Sequence, residues 1–98
     1  MAKEVVWSRQ ADKKFDQIIA YLRKDWSDKE VVSFVRSTYR IIELLEMGNI
    51  AFRSSSKRGI REVLITKHNL LIYRESEDRI ELVTFYDTRQ HPKKKFFT

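Results

Sequence analysis

The chain has 98 residues, room for one domain spanning 1–98 and too few for two independent cores. Its hydrophobic fraction of 42% is enough to bury a core, and its 35% of charged residues are mixed in sign, which argues against a disordered chain. With no cysteine and only two histidines, neither a disulfide framework nor a zinc site is expected, and no apolar run approaches the roughly 20 residues that span a bilayer. The chain therefore reads as a cytoplasmic domain without cofactor, membrane contact or small-molecule substrate.

Lys3 to Trp7 reads as a short opening strand, and Ser8 is placed to cap the helix that follows. Ala11, Phe15, Ile18, Ile19, Leu22 and Trp26 recur at three- and four-residue spacing and predict one apolar helix face. Ser27-Asp28-Lys29-Glu30 has the spacing of a capping box and opens a second helix. Val31, Phe34, Val35, Thr38, Ile42 and Leu45 form its main stripe, widened by Val32, Ile41 and Leu44, and Gly48 ends it. So little chain separates the helices that they should form an antiparallel hairpin.

From Gly59 onward the apolar period changes to two. Ile60 to Thr66, Leu70 to Glu75 and Ile80 to Tyr86 suit strands, joined by the polar turns at 67–69 and 76–79. The order β-α-α-β-β-β gives an α+β fold, a helical hairpin packed on a small antiparallel sheet.

The net charge of +6 is concentrated in two places. Arg53, Lys57, Arg58 and Arg61 lie in one stretch without an acid; Arg89, Lys93, Lys94 and Lys95 lie in another. The rest of the chain holds 12 bases against 14 acids, so these segments carry the whole excess. They are the candidate contacts for a polyanion or an acidic partner, expected together at one rim of the sheet. Two solvated, unrelated segments are the plain alternative.

Several stretches together resemble the RelE/ParE superfamily of toxins, closer to its ParE-like branch. They are Val5-Val6-Trp7-Ser8, Gly59-Ile60-Arg61-Glu62-Val63-Leu64, Asn69-Leu70-Leu71-Ile72-Tyr73-Arg74, and Ile80-Glu81-Leu82-Val83 through Asp87-Thr88-Arg89-Gln90. The resemblance implies the toxin of a type II toxin–antitoxin system, a growth inhibitor paired with an antitoxin. ParE-type members poison DNA gyrase, whereas RelE-type members cut mRNA in the ribosomal A site.

Cleavage of RNA by its own 2′-hydroxyl needs a base, phosphate charge stabilisation and an acid. RelE-type toxins meet these needs with basic residues on the second and third strands and a basic and Tyr pair near the C-terminus. Arg61 matches the first basic position, but Val63 and Leu70 stand where further bases would be expected. Asp87-Thr88 also replace the His-Tyr pair that ends the last strand in one branch. A rebuilt nuclease site would gather Arg61, Tyr86, Arg89 and His91 at one end of the sheet. Each also has a plainer role. His91 beside Pro92 suits a solvated tail, Tyr86 a packing residue, and Arg61 a surface ion pair with Glu62 or Glu81. His68 is explained by its turn.

Three functions thus stand open: gyrase inhibitor, ribosome-dependent mRNA endonuclease, or a basic binding module without toxicity. The resemblance implies an acidic antitoxin in each toxin case, with an amphipathic segment laid on the toxin. Phe96 and Phe97 are either contacts for it or part of a flexible tail at 88–98.

Overall fold

The computed structural model describes residues 3–48 and 59–88. Its elements run β1 (Glu4–Trp7), α1 (Arg9–Asp25), α2 (Asp28–Met47), β2 (Ile60–Thr66), β3 (Asn69–Glu75) and β4 (Arg79–Asp87). Two helices pack on a four-stranded sheet ordered β1-β4-β3-β2. The last three strands form the expected antiparallel meander, with Val63 opposite Leu71 and Leu71 opposite Phe85. β1 joins the far edge in parallel, Val5 beside Ile80 and Trp7 beside Leu82. The sheet is therefore mixed.

Both helix starts follow their sequence signals. Ser8 accepts a hydrogen bond from the Ala11 amide at 2.9 Å, and Ser27 from the Glu30 amide at 3.3 Å. α2 ends at Gly48, whose φ of 75° lies in the left-handed region that glycine adopts without a steric penalty.

Ala11, Phe15, Ile18 and Leu22 of α1, with Phe34, Thr38, Ile42 and Leu45 of α2, are the buried helix positions. They meet Val63, Leu71, Tyr73, Ile80, Leu82 and Phe85 from the sheet. Phe15 sits near the centre, 5.2 Å from the Phe34 ring and 5.4 Å from Phe85. Trp26 departs from the expected face. At the C-terminal cap of α1 it is 51% exposed, and its indole N–H donates to the Tyr21 hydroxyl at 3.0 Å. Val32 likewise lies outside the core at 48% exposure.

β3 is the central strand of the meander, and Asn69 through Tyr73 are all buried. Leu71 and Tyr73 belong to the helix-side core, while Leu70 and Ile72 alternate onto the other face. Extra residues interrupt two ladders: Ile65 on β2 and Val83 on β4 have no cross-strand partner.

Candidate functional site

Of the sequence-predicted site residues, Arg61 and Tyr86 fall in the described part of the chain. Arg53, Lys57, Arg58, Arg89, His91, Lys93, Lys94 and Lys95 lie outside the described residues, as do Pro92, Phe96 and Phe97.

Arg61 is the second residue of β2 and pairs with Tyr73, so its side chain leaves the sheet on the helix side, at the edge. There its Nε lies 3.4 Å from Glu75 Oε1. The other oxygen of that carboxylate accepts from Lys3 Nζ at 2.8 Å, and Lys3 also donates to the Ser76 carbonyl at 2.9 Å. Glu75 thus bridges two cations from two other strand regions. Lys3, Arg61, Glu75, Ser76 and Glu77 line a cavity of about 400 Å³ together with Gly59 and Ile60. Glu75 holds both cations and Glu77 adds a second carboxylate to the lining, so an incoming anion would compete with Glu75 for Arg61. Of the two expected ion-pair partners, Glu81 pairs with Arg74 at 3.2 Å, and Glu62 alternates onto the opposite face of the sheet.

Tyr86 pairs with Leu70, which places it on the face away from the helices. Arg61 and Tyr86 are therefore on opposite faces of the sheet. They are also two strands apart and offset by three β3 residues, about 10 Å along the strand. The structure does not bring them together. Val63 and Leu70, the two apolar residues at expected basic positions, are 6% and 4% exposed.

The two basic segments attach to the sheet at opposite ends. Ile60, where β2 begins, aligns through Arg74 with Glu81; Asp87, where β4 ends, aligns with Asn69. Asn69 and Arg74 are five residues apart on β3, about 17 Å. The expectation of a single basic rim falls, Arg61 apart, on residues outside those described. At the β4 end the backbone amide of Thr88 donates to the His68 carbonyl at 2.9 Å, giving the His68 turn a structural role.

Lys3 and Glu75 were legible in the sequence only as strand ends, not as site residues. Their approach to Arg61 follows from strand pairing over more than 70 positions for Lys3, which leaves no local pattern to read. Among the described residues, no group of three or more His, Cys, Asp or Glu side chains is arranged to hold a metal ion, and no helix is long and apolar enough to cross a membrane.

A family model described as the ParE toxin of the type II toxin–antitoxin system parDE matches residues 5–92. The chain belongs to the ParE toxin family. It is accordingly the toxin component of a type II toxin–antitoxin system, within the RelE/ParE superfamily. Solved structures share the ParE-type fold at low identity. A chain of the chromosomal ParDE toxin–antitoxin system from P. aeruginosa is 16% identical with a TM-score of 0.72, covering 88% of this chain and 96% of that one. A chain of the E. coli DinJ-YafQ toxin–antitoxin complex is 13% identical with a TM-score of 0.63, covering 93% and 98%. The YoeB dimer from Staphylococcus aureus is 14% identical with a TM-score of 0.62, covering 88% and 97%. No curated protein sequence matches the chain.

Proposed function

We propose that this ParE-family toxin arrests growth by inhibiting DNA gyrase and that an acidic antitoxin holds it inactive. The observation that carries the gyrase reading is the chemistry of the central sheet. Val63 and Leu70 occupy positions where an RNA-cleaving relative would be expected to place bases, and both are buried apolar side chains. A buried aliphatic group supplies neither a proton acceptor nor charge for a phosphate. The separation of Arg61 from Tyr86 across the sheet supports the same reading, because acid–base chemistry needs its groups within hydrogen-bond reach of one substrate.

The antitoxin reading rests on the family and on charge. An excess of cations in two segments favours an acidic partner. The similar DinJ-YafQ structure is itself a toxin–antitoxin complex. Gyrase as target places the toxin in the cytoplasm.

The test runs two assays on the same purified protein. In a supercoiling assay the toxin is expected to inhibit gyrase and to accumulate cleaved DNA; in a ribosome-programmed translation it is expected to leave mRNA intact. Full supercoiling at saturating toxin overturns the gyrase reading. Message cleavage lost in Arg61→Ala would instead establish an endonuclease that depends on Arg61, with Arg89→Ala and His91→Ala the next variants to measure.

A further inference from the structure

Trp7 ends β1, Phe15 lies on the inner face of α1, and Tyr39 lies midway along α2. Their rings converge. Trp7 and Phe15 are 5.2 Å apart edge to face, Phe15 and Tyr39 are 6.4 Å apart edge to face, and Trp7 and Tyr39 are 6.5 Å apart at 44°. The open side of this cluster is a cavity of about 370 Å³ whose lining is completed by Asp12 and Asp16. Every residue of that lining is aromatic or acidic.

This reverses the character of the molecule as a whole, which carries +6. Asp12 and Asp16 are one turn apart on α1 and exposed, so their carboxylates repel each other. Among the described residues neither forms an ion pair. Asp12, in the first turn, also suits the positive end of the helix dipole. Asp16 lies beyond that turn and gains nothing from the dipole. Tyr39 packs one side on Trp7 and Phe15 and leaves the rest of its ring open, at 50% exposure. Aromatic faces and carboxylates share one preferred ligand, a cation stripped of part of its water.

We propose that this cavity receives an arginine side chain from a protein partner lying along α2. A guanidinium is planar, stacks on the rings and offers forked donors to two carboxylates, which an ammonium does not. The surroundings favour a polypeptide carrier over a free small cation. Val32, 48% exposed, stands seven residues before Tyr39 on the same side of α2. Around it lie Lys29, Ser33, Arg36, Ser37 and Arg40, so the surface about 10 Å from the cavity is basic and suits a partner segment that carries acidic residues beside its arginine. The site is independent of which enzyme the toxin inhibits.

The probe is N-acetyl-arginine amide titrated into the full chain, with N-acetyl-citrulline amide as the neutral analogue of nearly the same shape. Two-dimensional NMR reads the Trp7 indole N–H and the Tyr39 ring; a Trp26→Phe background leaves a single indole. Arginine is expected to shift both signals saturably, and citrulline to bind about tenfold more weakly. Asp16→Asn and Tyr39→Ala should each weaken arginine binding several-fold, with amide shifts confined to the residues around the cavity. Equal response to arginine and citrulline overturns the proposal, as does an Asp16→Asn variant that binds arginine undiminished. Tetramethylammonium binding without any arginine response would assign a small-cation site instead, and conversion of a dimer to a monomer by Asp16→Asn would assign the cavity to a second copy.

Discussion

The hydroxyl of Ser8 makes two hydrogen bonds at once, accepting from the Ala11 amide at 2.9 Å and donating to the Val83 carbonyl at 2.7 Å. The Ser8 amide adds a third bond, to the Leu82 carbonyl at 3.0 Å. One residue therefore starts α1 and fastens it to β4 beside the Val83 bulge. The cap was legible in the sequence, because a serine before an apolar-periodic run has that role; the bond to Val83 was not, since it joins positions 75 apart. Arg61 teaches the same lesson. Its strand was legible, but its partner Glu75 depends on the β2–β3 register and on the side from which each residue leaves the sheet. Ser8→Ala should destabilise the fold by about 2 kcal/mol, combining a lost cap with a carbonyl left short of a donor. For a chain of this size that lowers Tm by about 10 °C in a thermal melt. Ser8→Asp separates the two bonds, because its carboxylate still accepts from Ala11 yet cannot donate to Val83. Its stability should fall between those of wild type and Ser8→Ala, and equal stability of the two variants would show that the cap itself contributes little.

At the scale of elements, the described helices and strands lie within a residue or two of their sequence-predicted bounds, because each carries its own period and punctuation. Alternation marked β2, β3 and β4, and the three- and four-residue repeats marked α1 and α2. The parallel attachment of β1 to β4 left no such mark, since four residues next to a helix can extend either edge of a sheet. The bulges at Ile65 and Val83 were equally silent: an extra residue shifts the phase of burial without changing composition. Gly48 is a case where element and residue agree. A Cβ added there would come 3.6 Å from Lys3 Cε, an ordinary contact, so the cost of Gly48→Ala is backbone strain at φ 75° alone. The variant should lose about 1 kcal/mol in urea denaturation with an unchanged m-value. A loss of several kcal/mol, or a changed m-value, would mean that the turn after α2 does more than end the helix.

The whole molecule poses a question of charge that neither smaller scale answers. Its positive excess belongs to two segments, which join the sheet about 17 Å apart along β3. The sequence counted the charges correctly but could not place them, because the direction in which each strand runs decides which end a segment leaves from. At 0.1 M salt the screening length is about 10 Å, so charges that stay near those two attachment points would attract a partner almost independently. We therefore expect Lys57→Gln with Arg58→Gln, and Lys93→Gln with Lys94→Gln and Lys95→Gln, to weaken antitoxin binding by factors that multiply when the variants are combined. Titration calorimetry of the four proteins, wild type included, measures this directly, with the coupling free energy expected within about 0.5 kcal/mol of zero. Raising the salt should shrink both effects together. Strong coupling would mean instead that both segments reach one acidic patch of the partner, and the partner's footprint would then be compact. Multiplying effects are instead what a partner long enough to span both ends of the sheet would give.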